Sequence, residues 1–226
     1  MPLEKKLDIL LAIYIGAIVS AELLGSKLIT ILGVSTSVGI YALPLTFVIN
    51  DIVAEVVGKP RARHFVRTGL IVLAMLFVFV AIARILPPAD FYKNNDAYRT
   101  VFGNSMRVIL GSLTAFAVSE FTDVAIFTRL RKRWGSKNLW FRANASNIIG
   151  QLIDTTIFIT IAFYMSSPTS DAGRMVELII PYWLLKIGFS IIETPFTYLG
   201  VRWLRRSPPT ATIQPAVVPP PSAPIV

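Results

Sequence analysis

The chain contains no cysteine, which excludes a disulfide framework, a thiolate nucleophile and a Cys-ligated metal. Histidine is almost as scarce. The single His64 stands among Arg61, Arg63 and Arg67, the setting of a solvated basic loop, so neither a zinc site nor a His-based triad is expected. Charged residues make up only 15% of the chain. Also missing are a Walker A loop, HExxH, GxSxG and any glycine-rich nucleotide pattern, which removes ATP hydrolysis and the recognisable hydrolases. No enzymatic activity and no cofactor is expected.

What remains is largely apolar. Hydrophobic residues form 54% of the 226 positions and the mean hydropathy is +0.64, outside the range of ordinary soluble domains. The first apolar run outlasts a signal h-region, lacks a small-x-small cleavage site and is followed by further runs, so it reads as a span rather than a cleaved leader. A spanning helix needs roughly 20 apolar residues. Six segments qualify, at about 7–32, 39–58, 66–86, 106–128, 146–166 and 178–203. Turn signals separate them at Gly33 and Gly39, Lys59-Pro60, Pro87-Pro88, Gly135-Ser136 and Ser167-Pro168. The expected fold is all-α, a polytopic bundle of six transmembrane helices over residues 1–206. The stretch 207–226 is too rich in proline for a helix and is expected to be a disordered cytoplasmic tail.

The net charge of +9 would suggest nucleic acid in a soluble protein, but the order of the charges gives it another meaning. Positive residues near helix ends stay on the cytoplasmic side. Lys5, Lys6, Lys59, Arg61, Arg63, Arg67, Arg129, Arg131, Lys132, Arg133, Lys137, Arg142, Arg202, Arg205 and Arg206 fall on one side of a six-span chain. Only Arg84, Lys93, Arg99, Arg107 and Arg174 fall on the other, with Lys27 and Lys186 inside spans. Both termini and the loops after the second and fourth spans are therefore expected in the cytoplasm of a multi-pass inner-membrane protein. The partners are lipid and a small solute, not nucleic acid, and a homo-oligomer is compatible with the sequence.

The second and fourth spans share a pattern, Thr46-Phe47-Val48-Ile49-Asn50-Asp51 against Ala115-Phe116-Ala117-Val118-Ser119-Glu120. A parallel internal repeat and chance similarity between apolar helices both account for it.

Seven of the thirteen acidic residues lie inside the segments: Glu22, Asp51, Glu55, Glu120, Asp123, Asp154 and Glu193. An aspartate at the centre of a membrane helix costs about 2.5–3.5 kcal/mol on the insertion scale, so these groups must face protein, water or solute. Their spacing puts them on helix faces: Asp51 with Glu55, Glu120 with Asp123, the series Asn147, Gln151, Asp154, and Lys186 with Glu193. Four such stripes bury best around one shared cavity. The competing reading is structural pairing, for instance Lys186 with one carboxylate, although one lysine cannot neutralise seven acids. Glu22 and Lys27 lie off the centre of the first span, and Lys27 is expected to snorkel outward. Pro44 and Pro195 sit inside spans, where a lost backbone hydrogen bond is tolerated mainly beside a cavity or partner. Carboxylates and amides beside Phe47, Phe116, Trp183 and Tyr198 suit a flat solute with N–H donors. They also suit cations and protons.

These residues resemble a known family, the queuosine precursor transporters, also called the vitamin uptake transporter family. The run Pro44 to Asp51, followed by Glu55-Val56-Val57-Gly58 and Arg61-Ala62-Arg63, is similar to that family's signature in its second helix. Ser146-Asn147, Gln151, Asp154 and Phe158 to Phe163 resemble the second signature. Lys186, Glu193-Thr194-Pro195 and Tyr198 resemble the last helix. Val57 departs from the aromatic that precedes the glycine in the pattern. The resemblance implies uptake of a 7-deazaguanine, 7-cyano-7-deazaguanine or its 7-aminomethyl form, for tRNA queuosine. The expected solute site comprises Asn50, Asp51, Glu55, Glu120, Asn147, Gln151, Asp154, Lys186 and Glu193, with no catalytic residue and no metal. A transporter, or the binding subunit of one, for another vitamin-like or nucleobase solute is the alternative.

Overall fold

The computed structural model describes residues 1–31, 33–134, 139–164 and 172–206, without the side chains of 34, 120, 121, 123–147, 172, 174, 190 and 191. Helices α1 (Leu3–Leu24), α2 (Leu43–Val56), α3 (Lys59–Ile85), α4 (Asn95–Trp134), α5 (Leu139–Phe163) and α6 (Ala172–Arg205) account for most of this chain. Each of α1, α3, α4 and α6 carries an apolar stretch long enough to cross a bilayer, and so does α2 together with the turn that precedes it. In α5 the apolar part with described side chains is Ile148–Phe163. The protein is thus a multi-pass membrane protein of helical architecture. The expected tail and the turn signals at 135–136 and 167–168 lie outside the described residues.

Helices α3 to α6 each begin several residues ahead of the apolar segments expected from 66, 106, 146 and 178, and two further features differ from the sequence expectation. The first span stops at Leu24, and residues expected to continue it form an antiparallel hairpin of β1 (Leu28–Ile31) and β2 (Val34–Ser37). Leu28 pairs with Ser37 and Ile31 with Val34. Ile29, Thr30, Ile31, Val34 and Thr36 are β-branched, stiff in a helix and well suited to a pleated pair. Gly33 supplies the positive φ of +81° that the tight turn requires. The hairpin folds back on the end of α1. Ser37 Oγ donates to the Gly25 carbonyl at 2.6 Å and accepts from Gly39 N–H at 3.1 Å. A Cβ on Gly39 would lie 2.9 Å from the Ala21 carbonyl oxygen, so this approach needs glycine.

Pro44 is the second difference. It occupies the first turn of α2, where its missing N–H breaks no hydrogen bond, and therefore marks a helix start rather than a kink beside a cavity. At about 21 Å, the 14 residues of α2 fall short of a ~30 Å hydrocarbon core. The 3₁₀ turn Val38–Tyr41 extends them. Pro195, like Pro181, does lie within its helix, α6.

Three contacts bring the start of α1, the α2–α3 junction and the end of α6 to one end of the bundle. Lys6 Nζ donates to the Trp203 carbonyl at 2.6 Å, Arg61 pairs with Glu4 at 3.4 Å, and Arg205 pairs with Glu55 at 3.0 Å. At this end Leu7, Leu10, Ile52, Val53, Phe65 and Leu204 form one apolar core. A second core at the other end joins Ile40 and Val108 to Phe158, Ile159, Ala162 and Tyr182.

Candidate functional site

A cavity of about 330 Å³ opens between the two cores. Tyr14 borders it from the first; Val108, Phe158 and Tyr182 border it from the second. Five helices project polar groups into it: Glu22 from α1, Asn50 from α2, Ser112 from α4, Asp154 from α5 and Lys186 from α6. Each is on the face its helical neighbours predict. Tyr14, Ile18 and Glu22 follow one another at four-residue steps, and so do Tyr182 and Lys186.

Lys186 Nζ donates to Asp154 Oδ2 at 2.9 Å and lies 5.3 Å from the centre of the Tyr182 ring. The other oxygen of Asp154 receives a long contact from Ser119 Oγ at 3.5 Å. Glu22 is only 6% exposed and is bonded by the Ser112 hydroxyl. Its Oε2 and the Asn50 Oδ1 have no hydrogen-bond partner among the described residues. An unpartnered buried acceptor carries a desolvation cost of about 1–3 kcal/mol, which a solute with N–H donors would relieve. Phe47 and Phe116 add ring surface to the walls. The arrangement offers open acceptors, one internally paired cation and aromatic faces.

The remaining sequence candidates are distributed differently. Asp51, Glu55 and Glu193 line a second pocket of about 560 Å³ between α2 and α6, together with Lys59, Tyr198 and Arg205. Asn50 and Asp51 are neighbours in sequence but about 100° apart around α2, so one faces the central cavity and the other faces α6. Asp51 and Glu55 do share a face. Glu193 is 5% exposed and its Oε1 lacks a partner among the described residues. Glu55 is exposed and paired with Arg205. The expected single cavity is therefore two pockets, because the α2 stripe packs toward α6 rather than α5. Gln151 is partly buried, its Oε1 has no partner among the described residues, and it lines neither pocket. The side chains of Glu120 and Asn147 lie outside the described residues. Trp183 donates to the Ile148 carbonyl at 3.3 Å, bracing α6 on α5.

Glu22 was set aside in the sequence because it sits near the end of its span. The signal for it was its phase with Tyr14 and Ile18 on the buried face of α1.

Residues 37–200 match the family described as "Putative vitamin uptake transporter". A "Probable queuosine precursor transporter" of Bacillus subtilis (strain 168) is 32% identical over 196 residues, 86% of this chain and 84% of the relative. The "Queuosine precursor transporter" of Escherichia coli (strain K12) is 25% identical over 178 residues, 77% of this chain and 76% of that protein. A "Probable queuosine precursor transporter" of Haemophilus influenzae is 24% identical over 154 residues, 68% and 63% of the two chains. No solved structure matches the chain. With the family match covering most of the chain, from the end of the β-hairpin to Gly200 in α6, the chain belongs to the vitamin uptake transporter family and is a membrane transporter, not an enzyme.

Proposed function

We propose that the protein imports a queuosine precursor, 7-cyano-7-deazaguanine or its 7-aminomethyl form, across the inner membrane for use in tRNA modification. The observation that carries this reading is the central cavity, whose unpartnered Glu22 and Asn50 acceptors stand beside the Asp154–Lys186 pair. A deazaguanine edge presents a ring N–H and an exocyclic amine side by side, which two nearby acceptors can receive together. Its flat ring suits the Phe47, Phe116 and Tyr182 surfaces. The volume is at the lower end of small-ligand pockets, about 300–1,000 Å³, as a bicyclic base needs. The names of the three relatives support the same solute class.

In this proposal the central residues Asn50, Asp154 and Lys186, joined by Glu22, hold the ring. Gln151, Glu120 and Asn147 support them from α4 and α5. Asp51, Glu55 and Glu193 receive the solute in the second pocket, on its way to the cytoplasm. That direction follows from placing both termini in the cytoplasm, which the basic residues gathered at that end of the bundle favour.

The test supplies 7-cyano-7-deazaguanine to cells that cannot synthesise it and that carry this protein as their sole uptake route, then measures queuosine in tRNA. Queuosine should appear, and should fall with Glu22→Gln or Asp154→Asn. Its absence despite confirmed membrane expression overturns the substrate. A reporter fused after Arg206 should read as cytoplasmic, and a periplasmic signal overturns the orientation.

A further inference from the structure

At the end of the bundle opposite the chain termini, α3 and α4 enclose a polar pocket of about 620 Å³ that plays no part in the reading above. Arg84 from the last turn of α3 enters it, together with Arg99 and Arg107 from α4. Asp96 is its one acidic residue. Along α4, Thr100, Gly103, Asn104 and Arg107 fall at i, i+3, i+4 and i+7, so they form one face turned to α3.

Charge distribution makes this cluster unusual. The sequence places few basic residues on this side, yet three of them converge here. Among the described residues none of the three makes an ion pair. Among the described residues Arg84 Nε is buried without a partner, and the guanidinium's hydrogen-bond contact is Nη1 to Met106 Sδ at 3.5 Å. A thioether is a weak acceptor for a charged donor. The guanidinium also lies flat on Gly103, where a Cβ would come 3.1 Å from Nη2 and 3.3 Å from Cζ. Glycine at 103 thus forms a shelf that holds the guanidinium in the pocket.

The surface around the pocket is apolar and outward-facing. Ile82, Ile85, Val101 and Leu110 are 50%, 81%, 53% and 46% exposed, along the last turns of α3 and the first turns of α4. A ligand here needs an anionic oxygen-rich head for the arginines and hydrocarbon for the flanks. We infer that the α3–α4 pocket binds the phosphate-bearing headgroup of an anionic phospholipid, held by Arg84, Arg99 and Arg107 with its acyl chains along Ile85 and Val101. Arginine forks match phosphate oxygens in pairs.

The full chain, purified in mild detergent, is mixed with equal amounts of phosphatidylglycerol and phosphatidylcholine, and retained lipid is measured by native mass spectrometry. The protein should retain phosphatidylglycerol preferentially. Arg84→Gln and Arg107→Gln should each lower that preference about fivefold, and Gly103→Ala should lower it by displacing the Arg84 guanidinium. Arg63→Gln, at the opposite end, should leave it intact. Folding is checked for every variant by its thermal unfolding midpoint, and Arg84→Lys keeps the charge if Arg84→Gln does not fold. Equal retention of the two lipids, an unchanged preference in Arg107→Gln, or inorganic phosphate displacing the lipid at equal concentration would each overturn the inference.

Discussion

Lys186 Nζ on α6 lies 2.9 Å from Asp154 Oδ2 on α5, and the pair spans the inner wall of the central cavity. Its two side chains are 11% and 32% exposed, so the ammonium is nearly desolvated while the carboxylate still faces the cavity. Among the described residues, removing the lysine leaves Asp154 with only the long Ser119 contact. Lys186→Met should therefore cost about 1–3 kcal/mol, below the cost at a fully buried pair because the carboxylate keeps access to the cavity. The thermal unfolding midpoint in detergent reads this out. Asp154→Asn with Lys186→Met should recover part of the loss, and strictly additive effects would count against the coupling.

Glu22 and Glu4 stand on the same helix in opposite circumstances. Glu22 is buried at the cavity with an open oxygen; Glu4 is exposed and paired with Arg61 at 3.4 Å. Glu22→Gln should lower precursor uptake about tenfold or more, the equivalent of one lost charged hydrogen bond to the solute. Glu4→Gln should leave uptake near wild type. Equal uptake by the two variants would remove Glu22 from the site.

The Glu55–Arg205 pair is 3.0 Å long, but both side chains are more than half exposed. Solvent and salt screen such a pair, so Glu55→Gln should shift stability by less than about 1 kcal/mol. Unfolding midpoints compared at low and high salt should converge for the two proteins. A large, salt-independent loss would show that the pair holds α2 on α6.

That task falls instead to Gly200, where α6 crosses α2. A Cβ there would collide with Ile52 Cδ1 and come 2.8 Å from its Cγ1, and Ile52 is 4% exposed in the core. Gly200→Ala should destabilise by about 1–3 kcal/mol through overpacking. Ile52→Val removes the nearest methyl and should restore much of the loss in the double variant. A tolerated Gly200→Ala in the Ile52 background would mean the helices can separate freely at this crossing.

Several features were legible because they depend on local periodicity and on the cost of charge in hydrocarbon. Apolar runs of bilayer length mark the helices, and four-residue spacing places Asp51 with Glu55 on a common face, whereas Lys186 and Glu193, paired by the seven-residue spacing, line different pockets. The resemblance read from residues 44–63, 146–163 and 186–198 agrees with the family match over 37–200. The β-hairpin was missed because Leu28 to Leu32 is apolar enough to continue the first span, and hydropathy does not distinguish a strand from a helix over so few residues. The β-branched run and Gly33 carried that signal.

The sequence by itself determined that this chain crosses a membrane, which acids and amides it must bury, and which of them share a helix face. It did so because each follows from transfer cost and the 3.6-residue period of one helix. Only the tertiary structure decided which faces meet: that Asn50 turns to the cavity while Asp51 turns to α6, that Glu22 joins Asp154 and Lys186, and that Arg84, Arg99 and Arg107 line one pocket between α3 and α4. Those pairings depend on how each helix is rotated against its neighbours. That rotation is set by close contacts such as Gly200 on Ile52 and Gly39 on the end of α1, between residues far apart in the chain.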